Sequence, residues 1–91
     1  MILLSSAGEY EYFGRTDITS ITVPGNIHYI QKGAFSGCTD LSEIIFEEGV
    51  EVIEEGAFFG CRSLTEISLP DSTKEIGEHA FASCASLKSI R

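Results

Sequence analysis

Basic residues are scarce in this chain: six Lys and Arg stand against fourteen Asp and Glu, a net charge of −8 over 91 residues. Nucleic acid needs a basic face to meet its phosphates, so this balance argues against such a partner. Long apolar runs are also missing. The hydrophobic fraction of 43% is spread along the chain, and no stretch is long enough to span a membrane, so no membrane insertion is expected. The opening MILLSSAGEYEY carries no basic segment and only a short apolar run, so it does not read as a signal peptide, and export would need a signal outside this sequence. Histidine is limited to His28 and His79, with no second His or Cys at ligand spacing from either. Both are expected as solvated surface side chains. Cysteine is limited to Cys38, Cys61 and Cys84, whose 23-residue spacing matches no C-x-x-C zinc pattern. No cofactor or metal is expected.

What the chain does have is repetition. Leu41 to Ser63 reads LSEIIFEEGVEVIEEGAFFGCRS; the 23 residues before it, Ile18 to Asp40, and the 23 after it, Leu64 to Ser86, follow the same pattern without insertion or deletion. A fixed period of this length marks a solenoid, in which each coil contacts only its neighbours. An ordinary globule of this size is only marginally able to bury a core, and stacking similar coils is another route to one.

Each copy opens with apolar residues at its first, fourth and sixth positions: Ile18, Ile21 and Val23; Leu41, Ile44 and Phe46; Leu64, Ile67 and Leu69. The fourth and sixth alternate as in a strand with one buried face, and successive strands stack in parallel about 4.8 Å apart. Pro24 and Pro70 end two of these strands, having no N–H to donate. A second apolar pair follows (Ile27 and Ile30, Val50 and Ile53, Thr73 and Ile76) as either a brief strand or an extended turn. Then come Ala34-Phe35, Ala57-Phe58 and Ala80-Phe81, each three residues ahead of a cysteine, which fits a single helical or 3₁₀ turn with its apolar side inward. Gly37 and Gly60 permit the positive φ that stops such a turn, whereas Ser83 holds that place in the third copy. The phenylalanine column is expected to be the spine of the core.

The pattern L-x-x-I-x-L-P followed by I-x-x-x-A-F-x-G-C resembles the BspA-like, treponemal-type leucine-rich repeat. It is carried by Leu64, Ile67, Leu69, Pro70, Ile76, Ala80, Phe81 and Cys84 and by the matching columns of the earlier copies. Gln31 and Glu54 stand where the third copy has Gly77, and Glu47 stands where the other copies have proline. The resemblance implies bacterial or protist surface proteins used in adhesion and protein binding, hence a secreted or cell-surface location. It supplies no catalytic residues. The expected fold class is α/β: a right-handed leucine-rich-repeat solenoid with a parallel β-sheet on one side and short helical or 3₁₀ turns on the other. The expected organisation is a single domain, 1–91, with a degenerate half-repeat or N-terminal cap at 1–17, full repeats at 18–40, 41–63 and 64–86, and a partial repeat at 87–91. Tyr10, Tyr12 and Phe13 are expected to plug the N-terminal end.

Stacking would bring the cysteine Cα atoms to about 5 Å, within disulfide reach, but their side chains should point inward in parallel and an odd number leaves one over. A buried, inert thiol ladder is the better reading. Glu47, Glu48 and Glu51 flank Gly49 in one loop, yet without a D-x-D-x-D-G loop a solvated acidic face outweighs a calcium site. The surface left for function is the outward side of the main sheet, where the x positions of L-x-x-I-x-L point away from the core. Its candidate protein-binding residues are Thr19, Thr22, Glu43, Ile45, Glu66, Ser68 and Lys88. Small polar residues with one exposed isoleucine suit a modest protein-binding face and not a catalytic pocket, which needs concavity and convergent titratable groups. The expectation is therefore a non-enzymatic interaction or adhesion module with a protein ligand. The alternative is a structural spacer or self-assembly unit of a longer repeat array acting through its open ends, with end-to-end self-association through the C-terminal coil as its expected contact.

Overall fold

Stacking fixes where every column of the repeat goes. The structure, a computed structural model, describes residues 1–90; Arg91, the last residue of the expected partial repeat, lies outside them. Among the described residues eight short strands run in chain order: β1 (Ile2–Leu3), β2 (Ser20–Val23), β3 (Tyr29–Ile30), β4 (Glu43–Phe46), β5 (Val52–Ile53), β6 (Glu66–Ile67), β7 (Glu75–Ile76) and β8 (Ser89–Ile90). Every pairing is parallel, as a coil that always advances in one direction requires. From β2 onward the register steps by one repeat, Ile21 opposite Ile44, Ile53 opposite Ile76 and Ile67 opposite Ile90. The second apolar pair thus forms true strands, β3-β5-β7, making a second wall beside the main sheet.

The core lies between these walls and the turns. Ile21, Ile30, Phe35, Leu41, Ile53, Phe58 and Leu64 are fully buried, no polar side chain is buried among the described residues, and the set forms one continuous cluster. The aromatic column is continuous as well: Tyr12, Phe35, Phe58 and Phe81 stack with centroids 4.7, 5.3 and 5.4 Å apart and planes within 8° of parallel. These spacings lie in the range that aromatic pairs favour.

The expected leucine-rich-repeat solenoid with its parallel sheet is what the structure shows, and one detail differs, the turn side. The residues around Ala-Phe form neither helix nor 3₁₀ helix; among the described residues there are only strands and turns. The amides explain why. Ala34, Ser36 and Cys38 each donate to the carbonyl three residues earlier, while the alternating amides of Gly33, Phe35 and Gly37 donate to Glu55, Ala57 and Phe59 in the next coil. A helix would use every amide locally; here every second one joins coil to coil. The same alternation runs through Tyr10 to Arg15 and through Gly56 to Cys61. It also requires left-handed backbone twice per coil, at Tyr10, Gly33, Gly56 and His79 (φ 52, 62, 62 and 59°) and at Gly14, Gly37, Gly60 and Ser83 (φ 70, 75, 74 and 59°). Left-handed residues four apart interrupt a right-handed helix outright.

Residues 1–17, expected as a half-repeat or cap, contribute a strand that the 23-residue offset does not reveal. β1 pairs with β2 at Ile2 opposite Ile21, an offset of 19, whereas Gln31 donates to Ala7 as Glu54 does to Ile30, an offset of 23. Four residues are therefore absent from the loop between Leu4 and Ala7. Glu11, in the alanine column, secures the shortened loop: its carboxylate accepts from Ser6 Oγ at 2.7 Å and from the Gly8 amide at 2.8 Å. These bonds, Ser6 first, hold the Glu11 carboxyl below its usual range.

Candidate functional site

Five strands present their outward residues in aligned rows. The strand registers set Leu3, Thr22 and Ile45 in one row and pair Ser20 with Glu43 and Glu66 with Ser89 in a second; the 23-residue repeat carries the first on to Ser68 and gives a third of Thr19, Ser42, Thr65 and Lys88. All seven residues expected on this face reach solvent: Thr22 is half-buried and the others exposed. Thr22 Oγ1 lies 2.7 Å from Met1 Sδ, which draws Met1 across the edge of the sheet beside Leu3. The N-terminal part of the face is thereby more apolar than the sequence pattern alone conveys, with Leu3 67% and Ile45 44% exposed.

The sheet is not continuous. β1, β2 and β4 form one ladder and β6 and β8 another, with no ladder between β4 and β6. Ser42 donates to Thr19 and Lys88 to Thr65, but the intervening Thr65 amide makes no such bond to Ser42 among the described residues. The break falls where Glu43 and Glu66 sit on neighbouring coils. In the intact ladders each of them faces a serine, Ser20 and Ser89 respectively. Like charges directly opposite one another weaken a strand pair. A shallow polar depression opens there, lined by Glu43, Glu66 and Ser68 together with Ser42, Ile44 and Thr65. Three of the seven expected residues meet in it; Thr19, just before β2, and Lys88, just before β8, lie outside it.

Groups elsewhere are occupied by structural contacts. Cys38, Cys61 and Cys84 are buried free thiols that donate to the carbonyls of Tyr12, Phe35 and Phe58 at 3.1, 3.2 and 3.2 Å. Burial pushes all three thiols up, which lowers their reactivity. The acidic residues around Gly49 do not converge: Glu47 accepts from the Gly25 amide, Glu48 from the amides of Asp71 and Ser72, and Glu51 lies between His28 and Lys74 at 3.6 Å from each. Arg15, in the cysteine column of the first coil, forms a two-pronged pair with Asp17 at 2.7 and 2.8 Å; that hydrogen bonding lowers the Asp17 carboxyl to about 2. No group of three His, Cys, Asp or Glu placed to hold a metal occurs among the described residues. No helix there is long and apolar enough to cross a membrane.

Residues 6–91 match the family described as BspA type leucine rich repeat region, in six copies. No curated protein matches the chain significantly. Among solved structures, a leucine-rich repeat protein from Bacteroides capillosus ATCC 29799 is 31% identical with a TM-score of 0.85; the match covers 96% of this chain and 62% of that one. A leucine rich cell surface protein from Faecalibacterium prausnitzii A2-165 shares the fold at 24% identity and a TM-score of 0.81, over 96% of this chain and 29% of that one. The leucine rich repeat protein of T. pallidum is 27% identical with a TM-score of 0.67, over all of this chain and 52% of that one. The chain thus spans less than two thirds of each.

Proposed function

The chain belongs to the BspA-type leucine-rich repeat family, and from that premise we propose that it is a non-enzymatic interaction module that binds a protein ligand through the outward face of its main sheet. The observation that carries this reading is the aligned display of Thr19, Thr22, Glu43, Ile45, Glu66, Ser68 and Lys88 on parallel rungs, backed by a core that holds the rungs rigid. Leu3 and Ile45 offer apolar contacts toward the N-terminal side of the face, and Glu43 and Glu66 add acidic specificity beside them. We place the parent protein at the cell surface, in an adhesive role. The name of the Faecalibacterium prausnitzii protein supports that location.

The test is capture of surface proteins on the immobilised chain, repeated with Ile45→Asp and Ser68→Glu. A ligand retained by the native chain and lost with both substitutions, while thermal unfolding stays unchanged, supports the sheet face. Retention by the variants removes it.

A second reading, end-to-end assembly, is favoured by one observation. In the last coil the amides of His79, Phe81 and Ser83 occupy the places from which Gly56, Phe58 and Gly60 donate to the following coil, and Ile76 and Ile90 beside them are each 47% exposed. Light scattering over a concentration series separates the two: association abolished by Ile90→Asp and untouched by Ile45→Asp supports the end, and a monomer at every concentration discards it.

A further inference from the structure

We propose that the turn side of the stack carries a second recognition site, a cleft over Gly56 that accepts an aromatic side chain of a protein partner presented next to a basic residue. The cleft follows from the left-handed column of Tyr10, Gly33, Gly56 and His79. Its two central members have no side chain, so the column is a trough of about 220 Å³, closed by Tyr10 at one end and His79 at the other. Lys32 and Glu55 form one wall, and Ser36 and Phe59 form the other.

The chain itself displays how such a trough is filled. The Tyr10 ring is seated on Gly33 so closely that a Cβ there would collide with ring atoms Cδ1 and Cε1. Phe13 braces that ring edge-on, with centroids 6.0 Å apart and planes at 77°. One coil further on, the seat over Gly56 is open: a Cβ added there would meet only Phe59 Cβ, at 3.9 Å. The ring that would fill it by analogy would come from position 33, which is glycine. Phe59 is 42% exposed and Tyr10 47% exposed, so an entering ring meets aromatic surfaces at the side and at the end, the geometry in which aromatic pairs gain beyond simple area burial.

Charge selects the neighbour of that ring. Glu55 lines the cleft and Glu78 holds the same column one coil on, their side chains 55% and 76% exposed; Lys32 Nζ reaches Glu55 at 3.8 Å and His79 Nε2 lies 3.6 Å from Glu78. A basic residue flanking the partner's aromatic therefore meets two exposed carboxylates, each with one partner, on a chain of net charge −8. This site lies on the turns, away from the sheet, and stands or falls independently of the sheet-face reading.

The test is an amide NMR titration of the full chain with N-acetyl-lysyl-tyrosinamide. The expected result is saturable movement, in the region of about millimolar probe, of the Gly33, Gly56 and His79 amides. Replacing tyrosyl by leucyl, or lysyl by glutamyl, should weaken the response at least severalfold. Phe59→Ala should weaken it roughly two- to tenfold, the span of an aromatic pair, with the unfolding midpoint near that of the native chain because Phe59 is solvent-exposed. Ile45→Asp should leave it unchanged. Equal response to the leucyl probe, indifference to Phe59→Ala, movement confined to the sheet face, or stronger movement of the same amides by a neutral glucose oligosaccharide would each overturn the proposal.

Discussion

Cys61 donates its thiol hydrogen to the carbonyl oxygen of Phe35, one coil back, at 3.2 Å. The same oxygen accepts from the Cys38 amide at 3.1 Å, so it is satisfied from its own coil and from the next. The cysteine column is thus more than small apolar filling. Each thiol is a buried donor matched to a carbonyl of the preceding coil, repeated at Cys38 and Cys84.

That arrangement gives stability a pH dependence. Burial raises the folded thiols above the value of about 8.5 that they have in an unfolded chain. Their contribution is therefore complete below about pH 8.5 and is lost as pH rises from there toward the folded values. Denaturant titrations at pH 7.5 and pH 10 should show the loss, and replacing all three cysteines by alanine should reduce it. In native protein a thiol reagent should react slowly, and after denaturation without reductant all three thiols should appear.

The aromatic column should be least replaceable at its middle. Phe58 is fully buried between the parallel rings of Phe35 and Phe81. Phe58→Ala should cost about 3–5 kcal/mol in a urea titration. Tyr12→Ala should cost clearly less, because that ring has a stacked neighbour on one side and is partly exposed. Equal losses would contradict this packing.

Ser83 holds left-handed backbone (φ 59°) where the earlier coils use Gly37 and Gly60. A non-glycine residue there is strained by its Cβ. Ser83→Gly should raise stability by about 0.5–1 kcal/mol after the greater flexibility of glycine in the unfolded chain is deducted. The reverse change, Gly60→Ser, should lower it. Paired thermal melts of the two variants check both signs.

The gap in the main sheet should close when one of its facing carboxylates is removed. Glu66→Thr should extend the β4 ladder to β6, slow hydrogen exchange of the Thr65 amide, and add about 0.2–1 kcal/mol. An exchange rate at Thr65 unchanged from the native chain would show that charge does not hold the strands apart.

Much of this architecture was legible because Ile21, Ile44 and Ile67, or Phe35, Phe58 and Phe81, recur at one spacing and parallel stacking leaves them only one register. β1 was not legible, because the loop missing between Leu4 and Ala7 shifts Ile2 out of that spacing. The turns read as helical because Ala, Phe and Cys have helical spacing; what overrides this is a hydrogen bond from Phe35 to Ala57, a partner 22 residues away that no local window contains. On the sheet face the exposed positions followed from strand alternation, but the break between Glu43 and Glu66 depends on which carboxylates share a rung. The turn-side cleft did leave a signal: glycine recurs at 33 and 56, between Tyr10 and His79 in the same column.

The alternating amides of the turns also make the stack an electrical object. The carbonyl of Lys32 and the amide of Gly33 belong to one peptide unit; the first accepts from Tyr10 and the second donates to Glu55. The units at Ala34–Phe35 and Ser36–Gly37 do the same, and each is continued in the next coil by Glu55–Gly56, Ala57–Phe58 and Phe59–Gly60. Three files of peptide dipoles therefore run head to tail along the solenoid axis, as they do along an α-helix, although the protein contains no helix among its described residues. Their positive pole is the face bearing the amides of His79, Phe81 and Ser83, and their negative pole is the first coil. On a chain with a large negative charge, the amides of His79, Phe81 and Ser83 thus present a local field of the opposite sign, one that favours carbonyls or anions set against them.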